Sequence, residues 1–460
     1  MTAVECSATR PAGAPGSAAM RSGVGVRLGL VGLVMLVLMV PMTMLRGLVA
    51  ERQARAAEVA TEIAEASSHA QRLLGPMLLV EYEERRLHVR TVTEGGVERE
   101  VSEVKTERRR ELVLPDRLRV DNELQTERRG RSLFSTLLVH AVTDLQAAFT
   151  LPSTPPPDTR PLRLWLVMGL GDNRGLGSLE VSVGGRTHAP QPGTGVGWLE
   201  QGVHVPLPLD LLQQRRLEVA ANMTLSGTGS MHWLPAGSET EVHAHGSWPH
   251  PGFTGDRLPV SPSVAADGFR AKWSVSRLAS QAQQAIVRCG ADAPHCPAAL
   301  DASFGVRLVE PVDRNLMTER AMKYALLVLA LVLGAVFVLE VTQRRAVHPV
   351  QYGLTGLALA MFFLLLLSLS EHIGFGAAYL VAAGASTALI SAYLSALQQG
   401  RAGRWIVPLA LGALYGLLYG LLQSEDYALL MGSIALFGLL AALMLATRHL
   451  DWSRVGATTP

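Results

Sequence analysis

The chain has 460 residues, room for about three soluble domains, yet 48% are apolar and only 17% charged, against about 25% charged in an average soluble protein. Net charge is +2, and no basic block is free of interleaved Glu. Composition therefore argues against a wholly soluble enzyme, a disordered chain and a nucleic-acid binder.

Charge is unevenly spread. Between Tyr324 and Thr447 there are eight charges (Glu340, Arg344, Arg345, Glu371, Arg401, Arg404, Glu425 and Asp426), which leaves 72 of 80 for the other 336 residues. Mean hydropathy is +0.24. A charged, water-facing part is joined to a part that lives in lipid.

In chain order, an N-terminal tail (1–27) precedes the apolar run Leu28–Leu45, bracketed by Arg27 and Arg46. Its 18 residues just cross a ~30 Å hydrocarbon layer. The run is too long for a signal-peptide core, and Met42-Thr43-Met44-Leu45-Arg46 offers no small-x-small cleavage site, so an uncleaved anchor is expected. Leu48 to Leu74 lacks Pro and Gly, and Val59, Ile63, Ala66, Ala70 and Leu73 form one apolar stripe. An amphipathic helix is expected over 46–75, stopped by Gly75-Pro76.

Beyond Pro76 the period becomes two. Leu87, Val89, Thr91 and Thr93 alternate with charges, Glu94-Gly95-Gly96 turns, and Val97 onward returns, the pattern of a hairpin. Leu179 to Gly185 and Glu241 to His245 alternate likewise, and Pro and Gly punctuate at short intervals. A β-rich, sandwich-like domain over 76–323 is expected. Cys289 and Cys296, with six residues between them, leave a local disulfide and two free thiols both open.

Five further spans are expected at 324–341, 350–369, 373–397, 405–422 and 427–445, before a short C-terminal tail (448–460). A tight turn at Ser370-Glu371-His372 to Gly374 separates the second and third of these. Arg10, Arg21, Arg27, Arg344, Arg345, Arg401, Arg404, Arg448 and Arg454 fall on one side, whereas the turns carrying Glu371-His372 and Glu425-Asp426 hold no Lys or Arg. The positive-inside bias then puts both termini in the cytoplasm and residues 46–323 across the membrane. Arg46, Arg320 and Lys323 flank spans on the far side, but a segment that long translocates largely regardless of charge.

Little in the chain marks chemistry. Gly169 to Gly177 is Gly-rich but lacks Gly-Lys-Ser/Thr and leads into a strand, so it reads as a turn. His243 and His245 share a strand face with Glu241, with His232 and His250 near in sequence, but an i, i+2 pair falls short of three or four converging metal ligands. No nucleophile-base motif is present, and no catalytic, cofactor or metal residue is assigned. Glu340, Glu371, His372, Glu425 and Asp426 are the ionisable groups nearest the bilayer, all at span ends. Gly412, Gly416 and Gly420 bare one face of the fifth span, 405–422, and so suit an intramolecular seam or else a homodimer contact.

Distinctive strings carry a resemblance. They include Leu74-Gly75-Pro76, Trp248-Pro249-His250-Pro251-Gly252-Phe253-Thr254-Gly255, Phe304-Gly305-Val306, Arg320-Ala321-Met322-Lys323-Tyr324-Ala325, His348-Pro349-Val350-Gln351-Tyr352, Leu369 to Phe375, Glu425 to Leu430 and Arg448-His449-Leu450-Asp451-Trp452. Over most of its length the chain resembles the CreD-type bacterial inner-membrane proteins. The resemblance implies one N-terminal span, a large periplasmic domain and a C-terminal bundle, with a role in envelope integrity, colicin tolerance and stress response. It carries over no catalytic residue. Trp248 and His250 join the span-end groups as candidate functional positions.

The expectation is thus a membrane α-helical protein, one N-terminal span plus a five-helix bundle, with a large β-rich periplasmic domain inserted between spans 1 and 2. It would be non-enzymatic, with the lipid bilayer and an unidentified periplasmic or membrane protein as partners and no nucleic acid or cofactor. A transporter is the alternative, and a periplasmic metal-dependent enzyme a further one.

Overall fold

The computed structural model describes residues 24–94, 97–131, 134–152, 156–310, 314–343, 347–395 and 400–423, with scattered positions from 430 to 448. The chain divides into two units, one of residues 1–53 with 312–460 and one of 54–311.

The first unit is helical. It contains the first part of α1 (Val24–Ala66) and four further helices that overlap the expected spans, α4 (Arg314–Gln343), α5 (Pro349–Ile373), α6 (Phe375–Leu394) and α7 (Gly400–Gln423). Five helices are long and apolar enough to cross a membrane among the described residues. The span expected at 427–445, with Glu425 and Asp426 before it, lies largely outside the described residues.

Local chemistry explains the helix ends. The His348 side chain accepts the Val350 N–H at 3.3 Å, Gln351 Oε1 accepts the His348 N–H at 3.0 Å, and Pro349 needs no partner at the first helical position. The expected turn between α5 and α6 is tighter than the sequence suggests. Glu371 and His372 belong to the last turn of α5, and Gly374, at φ 79°, makes the break by itself.

The second unit is a sandwich of two sheets. The first has the order β13-β16-β11-β1-β5-β9-β8, with β2 on β1. Its strands are β1 (Gln71–Glu94), β2 (Val97–Val113), β5 (Thr159–Gly169), β8 (Gln191–Pro192), β9 (Gly202–Leu207), β11 (Ser230–Trp233), β13 (Pro251–Gly255) and β16 (Phe304–Leu308). The second runs β14-β15-β12-β3-β4-β10-β6-β7. It comprises β3 (Arg117–Arg131), β4 (Phe134–Thr150), β6 (Leu176–Val183), β7 (Arg186–His188), β10 (Arg216–Thr228), β12 (Glu239–Gly246), β14 (Ser261–Ala265) and β15 (Gly268–Ser276). Two short helices, α2 (Ala282–Cys289) and α3 (Pro297–Asp301), precede β16.

The expected hairpin forms, with Leu87 opposite Val104 and Glu94 opposite Val97. Period-two burial is regular in β10, where Leu217, Val219, Ala221, Met223 and Leu225 are buried. In β12 the buried row is Thr240, Val242 and Ala244, so Glu241 and His243 face outward together, as the alternation requires.

Aromatic rings lock the sheets together. Trp273 of β15 stacks on Phe304 of β16 at 5.6 Å and lies 5.7 Å from both Trp233 and Phe253. The indole N–H of Trp233 donates across the sandwich to Asn122 Oδ1 at 3.2 Å. The same oxygen accepts from Thr143 Oγ1 at 2.9 Å, and Asn122 Nδ2 donates to His243 O at 3.1 Å.

The helix expected over 46–75 is corrected. It ends at Ala66, and Gln71 to Leu74 are already strand. Distant partners capture these residues. Ser68 Oγ donates to Ser226 O at 2.6 Å, Thr228 Oγ1 donates to Ser68 O at 2.7 Å, and Gln71 pairs in parallel with Met231. Gly75-Pro76 stops no helix. Gly75 takes φ 95° where the β1–β5 register shifts between Leu74 and Met77, a bulge that only glycine enters freely. Val59 and Ile63, on the expected stripe, pack on Leu138 and Phe134. At the other boundary, α4 starts at Arg314, ahead of the span expected from 324.

Asn122→Ala removes the one acceptor shared by two buried donors. It is expected to lower the unfolding free energy of the domain by about 3 kcal/mol, read by tryptophan fluorescence in urea.

Candidate functional site

The helical unit carries polar groups at two levels. At one level, Arg27 Nη1 of α1 meets Glu340 Oε1 of α4 at 2.9 Å, and Tyr352 Oη of α5 donates to Glu340 Oε2 at 2.5 Å. Glu340 is only 4% exposed, so both its oxygens are satisfied by partners from two other helices. At the other level, Arg46 Nη2 donates to Met322 O at 3.5 Å and Gln53 Nε2 to Glu319 Oε2 at 3.0 Å. There Arg52 also pairs with Glu371 at 3.4 Å, and Lys323 pairs with Glu319 at 2.9 Å.

Arg27 and Arg46 are nineteen residues apart on α1, and Tyr352 and Glu371 nineteen apart on α5. Either interval is about 29 Å of helix, the thickness of a hydrocarbon core. The sequence marks Glu340 and Glu371 as span-end acids. It does not show their partners, because Arg27 lies 313 residues from Glu340.

Between the levels the helices meet through rings. Phe362 contacts Tyr379 at 5.5 Å and Tyr415 at 4.6 Å, and Tyr379 contacts Tyr419 at 5.1 Å. The hydroxyls are satisfied inside the unit, Tyr379 donating to Tyr415 O at 2.6 Å and Tyr415 lying 2.9 Å from Ser386 Oγ. No described helix packs on the face expected, at Gly412 and Gly416, as a seam or a homodimer contact. A Cβ built at Gly412 or Gly416 would meet nothing within 4 Å among the described residues. The neighbouring positions Leu411, Tyr415 and Leu418 are buried instead. His372 sits beside Glu371 in the last turn of α5.

In the β-rich unit, Trp248 and His250 turn out to hold an edge. Trp248 Nε1 donates to Val309 O at 3.0 Å, and the Val309 N–H donates to His250 O at 3.1 Å. This feeds Pro251 into β13 against Leu308 of β16. His243 is enclosed by acids, Nδ1 lying 2.9 Å from Asp121 and Nε2 2.6 Å from Glu241, which also takes Lys272 at 2.6 Å. Among the described residues no group of three or more His, Cys, Asp or Glu could hold a metal ion. Cys289 and Cys296 are joined in a disulfide.

The Gly-rich stretch is a turn, as expected, and Asp172 is its anchor. Its carboxylate accepts from the Arg174 side chain, from the His69 N–H at 2.9 Å and from the Arg174 N–H at 3.0 Å. Burial alone would push this carboxyl up, but those donors outweigh it and hold it at about 2.

Comparison with known proteins finds relatives over most of the chain. A family profile described as "Inner membrane protein CreD" matches residues 23–453. The "Inner membrane protein CreD" of Escherichia coli (strain K12) is 35% identical over 427 residues, covering 91% of each chain. Among solved structures, an M1 zinc metallopeptidase of Deinococcus radiodurans in a substrate-bound mutant form matches 35% of this chain and 39% of its own, at 10% identity and a TM-score of 0.20. Another form of it matches at 12% identity and 0.16. At such scores the likeness carries no argument.

Two tests follow from the geometry. Arg27→Met strands a buried carboxylate and is expected to cost about 3–5 kcal/mol, seen as a lower melting temperature in detergent. Adding Glu340→Leu should recover most of the loss. If Arg27→Met melts like the parent, the pair contributes nothing. For Asp172, whose carboxyl sits below its ordinary 3.8, stability is present above that value and lost as pH falls through about 2. Asp172→Asn should cost about 1–3 kcal/mol at neutral pH and flatten the acid limb of the melting-temperature profile.

Proposed function

The chain belongs to the CreD family of inner membrane proteins, and from that premise we propose that it maintains the cell envelope without catalysing a reaction. Six spans would anchor the β-rich domain in the periplasm, where it binds another envelope component. The observation that carries the topology is the pair of polar levels about 29 Å apart in the helical unit. The level holding Arg27, Glu340 and Tyr352 would face the cytoplasm together with both termini. The level holding Arg46, Arg52, Glu319 and Glu371 would face the periplasm with residues 46–323. The nine basic residues counted on the cytoplasmic side support this orientation. The Cys289–Cys296 bond supports it too, because disulfides persist in oxidising compartments.

A transporter would place ionisable groups or broken helices at mid-depth. Between the two levels the described helices offer ring contacts and internally satisfied hydroxyls, which favours an anchoring bundle.

In spheroplasts, added protease is expected to cut within 46–323 and to spare both tails, and a photo-crosslinker on the exposed edge of β14 should capture an envelope protein in intact cells. Cleavage of the tails with an untouched middle segment would refute the topology. Unchanged detergent and antibiotic tolerance in a deletion strain would refute the envelope role.

A further inference from the structure

A cleft of about 470 Å³ opens on the outer face of the first sheet, within the size range of small-molecule sites. Arg72 and His232 lie on its floor, in a row of residues that continues across two more strands. Arg72 of β1 lies opposite His232 of β11, His232 opposite Gly305 of β16, and Gly305 opposite Thr254 of β13. Gly305 has to be bare. A Cβ there would come within 2.9 Å of the His232 ring, which leans across it so that Nε2 reaches Thr254 Oγ1 at 3.1 Å.

One wall is the disulfide-closed segment, with Pro294 and His295. It is tied down by bonds from the Trp198 indole to Gly290 O at 2.9 Å and from the Gly197 N–H to Ala291 O at 2.8 Å. Trp198, Leu199 and Leu300 add apolar surface beside the polar Gln71, Glu200, Gln201 and Ser230.

The polar groups on the floor are unusual. Arg72 is half-buried, yet among the described residues its side chain makes no hydrogen bond and no ion pair. Glu200, the acid on the cleft wall, does not pair with it. Burial, with Arg72 and Arg307 beside it, pushes the His232 imidazole down to about 4, so the ring is neutral at pH 7. Of the two arginines beside His232, Arg72 is the one that lines the cleft, and a planar guanidinium short of acceptors is matched by a carboxylate.

We propose that this cleft binds a small organic carboxylate with an apolar body, the Arg72 guanidinium taking the carboxylate and Trp198, Leu199 and Leu300 the body. This inference is independent of which side of the membrane the domain faces and of any envelope role.

The test uses the full chain in detergent, titrated by calorimetry with N-acetyl-L-phenylalanine and, as control, N-acetyl-L-phenylalaninamide. The acid should bind with a dissociation constant of about 1 mM or below, and the amide at least tenfold more weakly. Arg72→Met should weaken the acid at least about tenfold with an unchanged melting temperature, and Arg72→Lys should keep part of the affinity. No binding of the acid by about 10 mM, equal binding of acid and amide, or full affinity in a folded Arg72→Met chain would overturn the proposal. Competition by inorganic phosphate at the same concentration as the acid would overturn the part assigned to the apolar body.

Discussion

A carboxylate withdrawn from water loses several kcal/mol of hydration unless cations and donors replace it. Glu340 has that replacement from two directions, Arg27 on α1 and Tyr352 on α5. The arrangement ties three helices together at one depth. It also sets a length, since the next polar level on α1 and α5 comes nineteen residues further along. Everything between must be satisfied internally, and the buried tyrosine hydroxyls are. Ring-to-ring packing of Phe362, Tyr379 and Tyr415 then supplies the close contact that the hydrophobic effect cannot supply between helices in lipid.

The β-rich unit obeys the opposite solvent. Its strands alternate because one face meets water, and its core is closed by large rings from both sheets around Trp273. Here the strings that carry the family resemblance acquire physical reasons. In Trp248 to Gly255, the indole holds Val309, Phe253 packs on Trp273, Thr254 meets His232, and Gly255, at φ 100°, leaves room for Ser303 O. In His348 to Tyr352 the histidine caps, the proline starts, the glutamine closes the capping box and the tyrosine reaches Glu340. These strings are bound to packing and to helix ends rather than to a reaction centre.

The cleft above Arg72 fits neither category. Its floor leaves a cation without an acceptor, and its wall is held by a covalent bond and two backbone acceptors. Elsewhere in the same unit Arg174 is met by Asp172 and Arg128 by Glu310. Arg72 differs from them in being half-buried in the lining of a cleft with no side-chain partner among the described residues.

How much could be read before the fold was known follows from the range of each interaction. Spans, the Gly95-Gly96 hairpin and the outward face shared by Glu241 and His243 depend on residues a few positions apart, so the order of residues alone determined them. The end of α1 at Ala66 did not follow, because Ser68 and Gln71 answer to Ser226 and Met231 more than 150 residues away. The bare face of Gly412 and Gly416 was legible, but not that Tyr415, one position off it, would meet Phe362 and Ser386. The spacing of Cys289 and Cys296 allowed a bond or two thiols, and closure of the loop against Trp198 belongs to the folded chain. Periodicity and hydropathy are local and survive in the sequence. The partner of a buried charge, or the lack of one at Arg72, exists only once distant strands and helices have come together.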